Sequence, residues 1–222
     1  AVLLREIADA DIAMLADARD GALPVAALLA MSAARRRNLV RAWVLTCELP
    51  VPGHETLEHL DRDVLCAARD ATPVLAWPGG EFRRHGGRLF ALSTLPSVPD
   101  GFRAQWDGRT VLALPEGCGA LALRATSGEP ERTARWTVRL ARPADRFRPS
   151  GSARTRTLKN LFQEGGVPTW VRERTPLVAL GERPVWVGGF GWTADDSAHV
   201  AVGADIEWRH RPAGAPAAPW RA

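Results

Sequence analysis

Cysteine is scarce in this chain: 222 residues hold three, Cys47, Cys66 and Cys118. The number is odd and the spacing fits no C-x-x-C metal or redox pattern, so no zinc site follows and the cysteines read as buried free thiols. No apolar run approaches the roughly 20 residues that cross a bilayer. The N-terminus also lacks the charged, apolar and small-residue order of a signal peptide, and the expected location is the cytoplasm. There is no G-x-S-x-G, H-E-x-x-H or Walker A sequence, which leaves the acid–base candidates without partners. His54 and His59 stand five apart, about 140° around a helix, and share no metal-binding face. Asp195, Asp196 and His199 could form a loop metal site, but D-D-S is more often a turn. No metal ligand and no catalytic residue is assigned, and catalysis by this chain alone is not expected.

Lysine is scarcer still, with Lys159 the only one among 29 basic side chains. Arginine binds phosphate bidentately and stacks on exposed bases. A genome-wide bias towards Arg, Ala and Pro accounts for most of that preference, but not for its clustering. The net charge is +4, and yet between residues 132 and 174 there are 11 basic side chains against 3 acidic ones. Such a local concentration is expected of a surface that holds a polyanion, with nucleic acid the natural partner.

An apolar content of 46% supports a real core, and the length suits two small domains. The first 70 residues read as helical. Leu3, Ile7, Ala10 and Met14 form a stripe at helical spacing, ended by Gly21 and Pro24; a short helix follows to Met31. Ser32 is an N-cap candidate for a third helix to Cys47, and a fourth spans about His54 to Arg69. Val74–Trp77 and Phe82–Leu92 are strand-like, with turns at Pro78-Gly79 and Gly86-Gly87. A Pro/Ser-rich break from Ser93 to Asp100 marks the domain boundary. Beyond it, strands are expected at 102–106, 110–114, 119–124, 135–140, 177–180, 184–187 and 200–208, interrupted by one short helix. Residues 211–222 are Pro/Ala-rich and expected to be a disordered tail. The fold class is therefore α+β: a mainly helical domain over 1–93 ending in a β-hairpin, then a β-rich domain over 94–210 with one short helix. The chain opens at Ala1 directly in a helical pattern, as a piece of a longer protein would.

The short helix carries the densest signal. In DRFRPSGSARTRTLKNLFQEGGVPTW, Leu158, Leu161 and Phe162 make a buried face at i, i+3, i+4, and Gly165, Gly166 and Pro168 stop the helix. Arg146, Arg148, Arg154 and Arg156 crowd its N-terminus, where free N–H groups and the helix dipole favour an anion. Lys159 and Asn160 point away from the buried face. An ordinary capped helix with solvated arginines fits the spacing equally well. In the third helix Arg36 projects into the apolar face and reads as structural, paired with a carboxylate. Arg37 and Arg41, one turn apart, could grip consecutive phosphates or form a solvated edge helped by Glu48 or Asp63. Arg83 and Arg84 alternate in a strand, one for packing and one for RNA. The alternation does not say which, and Arg84 is carried in the candidate set.

Three blocks resemble one family in its own order. D-R-F-x-P, a Gly/Ser spacer and T-L-K-x-L-F-Q-E-x-G-V-P-x-W are similar to the C-terminal domain of bacterial tRNA(Ile)-lysidine synthetases. Arg35-Arg36-Arg37-Asn38-Leu39-Val40-Arg41-Ala42-Trp43-Val44 resembles the R-R-x-x-L-R-x-W-L helix of the substrate-recognition domain, and Trp77-Pro78-Gly79-Gly80-Glu81-Phe82-Arg83-Arg84 the hairpin closing it. The resemblance implies an enzyme that uses ATP to join lysine to the wobble cytidine of the CAU anticodon of isoleucine tRNA. Its S-G-G-x-D-S loop, ATP and Mg belong to a catalytic domain not found here; Ser150-Gly151-Ser152 lacks the loop's second Gly and its Asp. The implied partner is isoleucine tRNA with a CAU anticodon, with neither DNA nor membrane, and a homodimer of the parent is left open. The last domain would touch the acceptor stem with a fold similar to a domain of the phenylalanyl-tRNA synthetase β subunit. The implied RNA contacts are Arg37, Arg41, Arg84, Arg146, Arg148, Arg154, Arg156, Lys159 and Asn160. A reading from another class is a protein-interaction or regulatory module whose exposed Trp106, Trp170, Trp186 and Trp192 dock a partner.

Overall fold

The computed structural model describes residues 2–16, 21–68, 71–125, 135–194 and 204–216. The chain divides into two compact units, Ala1–Leu95 and Pro96–Ala222. Among the described residues no helix is long and apolar enough to cross a membrane.

The first unit opens with α1 (Val2–Leu15), followed by β1 (Leu23–Pro24), α2 (Val25–Ala30) and α3 (Ala33–Thr46). Ser32 caps α3 by accepting from the Arg35 amide at 3.4 Å. Pro50, Pro52 and Gly53 end the run before α4 (His54–Leu60), which passes into a π-helical turn, Asp61–Leu65, where one continuous helix was expected. Three strands follow: β2 (Val74–Trp77), β3 (Gly80–His85) and β4 (Arg88–Leu92). The expected hairpin is thus a four-stranded sheet in the order β1-β4-β3-β2, completed by the segment after α1. The W-P-G-G turn has a packing cause. Trp77 folds over the turn and donates its indole N–H to the Pro50 carbonyl at 2.8 Å. A Cβ on Gly80 would stand 2.3 Å from that indole, and Gly79 combines a φ of +88° with 2.7 Å to Pro50 Cγ. Leu39, Val40, Trp43 and Val44 of α3 pack with Leu57, Leu60, Trp77 and Phe82 into one core.

The stripe expected to bury α1 does not do so. Leu3 and Met14 are 66% and 71% exposed, and α1 meets the unit through the neighbouring face instead, with Ala8 and Asp11 buried and half-buried Ile12 and Leu15 packed on the core. Asp11 can be buried within that face because Arg35 crosses from α3 to meet it.

The second unit contains β5 (Arg103–Trp106), β6 (Leu112–Ala113), β7 (Ala120–Ala125), β8 (Trp136–Leu140), β9 (Arg146–Phe147) and β10 (Arg156–Thr157). Two short helices follow, α5 (Leu158–Glu164) and α6 (Thr169–Arg172), one more than expected. Then come β11 (Pro176–Leu180), β12 (Arg183–Val187), β13 (Gly191–Trp192) and β14 (Ala204–Arg209). All pairings are antiparallel, in a five-stranded sheet β13-β12-β11-β8-β5, a three-stranded sheet β14-β7-β6 and the pair β10-β9. Four of the five residues of β11 are buried, as befits a central strand covered on both faces, whereas β14 alternates buried Ala204, Ile206 and Trp208 with outward Asp205, Glu207 and Arg209.

Three further expectations need correction. Trp106, Trp170, Trp186 and Trp192 are 3–7% exposed, so they build the core rather than a docking face. Three of the four indole N–H groups have acceptors inside the unit: Trp106 donates to Thr110, Trp170 to Ala213 and Trp192 to Asp205. Residues 211–216 of the expected disordered tail pack on the unit, through the Ala213 carbonyl at 2.9 Å from the Trp170 indole nitrogen and Pro216 over Gly189. Of the three free cysteines only Cys118 is buried, Cys47 is half-buried and Cys66 is exposed. Burial pushes the Cys118 and Cys47 thiols up, towards inertness.

Candidate nucleic-acid interface

In α3, four arginines in seven residues point in three directions, because each step turns by about 100° and Arg37 and Arg41 stand one turn apart. Arg35 grips Asp11 with two bonds of 2.9 and 2.7 Å. The hydrogen bonds and charge of Arg35 hold the Asp11 carboxyl below its ordinary value. Arg36, buried as expected, pairs with Asp61 at 2.7 Å through Nε and again through Nη2, while Nη1 donates to the Leu28 and Met31 carbonyls at 2.9 and 3.0 Å. The π-helical turn begins at Asp61, the carboxylate that Arg36 requires. Arg37, half-buried, and Arg41, exposed, lie one turn apart with no hydrogen bond or ion pair among the described residues. Neither Glu48 nor Asp63 meets them; Asp63 is paired with Arg62.

The hairpin arginines differ from expectation. Arg83 donates to the buried Glu81 at 2.7 Å. Arg84 donates to the Leu65 carbonyl at 3.0 Å and also to that of Ala68, capping the end of the π-helical turn. Arg84 is therefore a structural clamp: its guanidinium already serves two backbone carbonyls.

In the second unit the loop 141–149 is organised around Asp145. Arg139 grips its carboxylate with two bonds of 2.7 Å, and the Arg142 amide adds a third at 2.7 Å. Burial opposes ionisation of Asp145, but the Arg139 hydrogen bonds, the Arg142 amide and both guanidinium charges outweigh it and hold the carboxyl below its usual value. The loop then ties down α5. The Asp145 carbonyl accepts from the Leu158 amide at 2.7 Å, the Pro143 carbonyl from Lys159 at 3.0 Å and Thr157 Oγ1 from Asn160 at 3.4 Å. The first three amides of α5 are thus occupied within the protein, which removes the free helix terminus that the sequence offered to an anion. The side chains around it remain.

Those side chains divide. Arg156 is paired with Glu164 and lies 3.5 Å from Ser152 Oγ. Arg148 is half-buried, and its carbonyl accepts from Thr193 Oγ1 and the Ala194 amide. Arg172 and Arg174 serve backbone carbonyls of Val167, Trp170 and Pro96, and burial pulls the Arg172 pKa down. Arg146, Arg154 and Lys159 are exposed with no ion pair or side-chain hydrogen bond among the described residues, and the exposed side chain of Asn160 is likewise unengaged. Arg146 stands opposite Thr157 in the β9–β10 pair, beside the start of α5. Arg142 and Arg103 belong to the same neighbourhood, although sequence reasoning passed over both. For Arg142 the signal was R-P-A-D, a loop whose carboxylate organises the amides before it; Arg103 carried no signal. Asp195, Asp196 and His199 lie outside the described residues, among which no cluster of metal-ligating side chains occurs.

Unengaged cations at the edge of α3 and around a clamped loop are the chemistry of a polyanion-binding surface on an α+β scaffold. Comparison with known proteins makes the class specific. Residues 23–90 match the TilS substrate binding domain and residues 136–208 the TilS substrate C-terminal domain, together well over half of the chain. The chain is 32% identical over 194 residues to the tRNA(Ile)-lysidine synthase of Coxiella burnetii, covering 86% of this chain and 43% of that protein. It is 38% identical over 167 residues to the enzyme of Methylococcus capsulatus, covering 73% and 38%. With that of Alkalilimnicola ehrlichii the identity is 37% over 194 residues, covering 85% and 43%. The chain belongs to the tRNA(Ile)-lysidine synthase family, as its substrate-binding and C-terminal domains, and spans less than half the length of these relatives.

Proposed function

We propose that this chain is the tRNA-holding part of a cytoplasmic tRNA(Ile)-lysidine synthase, the ligase that uses ATP to join lysine to the wobble cytidine of the CAU anticodon of isoleucine tRNA. ATP and Mg are assigned to the catalytic domain of the parent enzyme, and this part positions the tRNA. The observation that carries the reading is the coincidence of the two family matches with exposed, unengaged cations in each matched unit, Arg41 in the first and Arg146, Arg154 and Lys159 in the second. Arg37 and Arg41 serve phosphates from the first unit, and Arg142, Arg146, Arg154, Lys159 and Asn160 from the second. Arg148 and Arg156 contribute charge from partly engaged positions. The second unit reads an acceptor stem by shape and phosphate, since the deep major groove of A-form RNA hides its base edges; its likeness to a phenylalanyl-tRNA synthetase β-subunit domain is part of the same proposal. The docking-module alternative loses its support, because its four tryptophans are buried.

A titration of this chain with isoleucine CAU tRNA and with methionine tRNA, from 50 to 200 mM salt, tests the reading. Binding should weaken steeply as salt rises. Absence of tRNA binding at low salt, or affinity indifferent to salt, would overturn it.

A further inference from the structure

The concave surface beside the unengaged arginines has a composition of its own. Phe102, Arg103, Arg139, Arg142, Arg146 and Glu182 line a polar groove of about 600 Å³ in the second unit. The strand register sets Arg103 directly opposite Arg139, an arrangement of like charges that is unfavourable unless each is neutralised. Asp145 neutralises Arg139 through two bonds of 2.7 Å. Among the described residues Arg103 has only Glu182, at 3.3 Å, with the Glu182 side chain 93% exposed. So exposed a pair is weak, and an incoming anion can compete for Arg103. Arg142 and Arg146 line it without an ion-pair partner within bonding distance among the described residues. Half-buried Phe102 supplies the one aromatic surface of the lining.

A groove of this volume falls in the range of small-ligand sites, about 300–1,000 Å³, and is far too narrow for a base-paired stem. Arginines around a single aromatic are the means by which proteins hold unpaired bases: the guanidinium groups take the phosphate and the ring takes the base. We infer that the groove holds one unpaired ribonucleotide of the bound RNA, its phosphate on Arg142 and Arg146 and its base against Phe102. This rests on the reading of the chain as an RNA-binding protein and adds a site for a single-stranded nucleotide to the contacts with the stem.

Fluorescence anisotropy on the full chain separates the two. The probes are a fluorescein-labelled single-stranded hexauridylate, a blunt-ended RNA hairpin and isoleucine tRNA. Hexauridylate should bind, and Phe102→Ala should weaken it at least about fivefold while Phe102→Trp restores it, the loss expected for one stacked base. Arg142→Glu with Arg146→Glu should weaken it tenfold or more, and Arg146→Glu alone, at an exposed side chain that does not act on Asp145, should weaken it with an unchanged thermal midpoint. Hairpin binding should not respond to Phe102→Ala. Binding of tRNA and hairpin without hexauridylate, or hexauridylate binding indifferent to Phe102→Ala, overturns the groove and leaves the tRNA reading standing. Failure of all three probes to bind overturns both.

Discussion

The basic run of α3 and the basic loop ahead of α5 solve one problem differently. Each must keep some arginines free while securing others. In α3 the helix does the sorting: successive residues diverge by about 100°, so Arg35 and Arg36 reach separate carboxylates, Asp11 and Asp61, while Arg37 and Arg41 stay at the edge. In the loop one carboxylate does it. Asp145 gathers the Arg139 guanidinium and the Arg142 amide, and its backbone carbonyl fixes the start of α5. With distributed partners, losing one carboxylate in the first arrangement releases one arginine; with a shared partner, losing Asp145 in the second releases Arg139 and the Arg142 amide together.

Breaking the first arrangement at its buried member should have the largest effect. Arg36→Ala strips Asp61 of its guanidinium and the Leu28 and Met31 carbonyls of a side-chain donor, and should cost about 3 kcal/mol in urea unfolding. A cost below about 1 kcal/mol would show that the side chain is not the keystone of that unit. Asp145→Asn should cost about 2 kcal/mol and lower tRNA affinity as well, because Arg139 is left half-buried without its counter-charge and the loop loses its order. Its pH dependence sharpens the point. The folded-state pKa of Asp145 is depressed, so its contribution is fully present above the ordinary carboxylate range near 4 and fades as pH falls through the lower folded value. Unfolding measured from pH 6 downwards should show a shallower acid loss in the Asn variant than in the parent.

Two smaller tests address the free members. Arg37→Glu combined with Arg41→Glu should weaken tRNA binding about tenfold and reduce the salt slope by about 2, with stability within about 0.5 kcal/mol of the parent. Equal affinity would remove α3 from the interface. Thr157→Ala should cost only about 0.5 kcal/mol, because two of the three leading amides of α5 are held by backbone carbonyls rather than by the cap.

Legibility in the sequence followed the range of the forces involved. Leu158, Leu161 and Phe162, the Ser32 cap and the buried Arg36 were readable because helical spacing and capping act within a few residues. The occupied amides of α5 were not: their acceptors, the Pro143 and Asp145 carbonyls, come from a loop whose path depends on Arg139 in a neighbouring strand. Arg84 was misjudged for a similar reason, since its carbonyl partners Leu65 and Ala68 lie 19 and 16 residues back. The α1 stripe misled because Leu3, Ile7, Ala10 and Met14 match the helical period no better than the packed Ala8, Asp11, Ile12 and Leu15, and nothing within α1 reports the guanidinium from α3 that lets Asp11 be buried.

The stretch from Arg211 to Pro216 behaves as a clasp: its Ala213 carbonyl holds the Trp170 indole, and Pro216 sits over the β12–β13 turn at Gly189. Protease trimming back to His210 would strip a buried indole N–H of its acceptor and uncover that turn. Shortening this composition-poor segment is therefore an injury to the second unit, and a reporter peptide is best attached beyond Pro216.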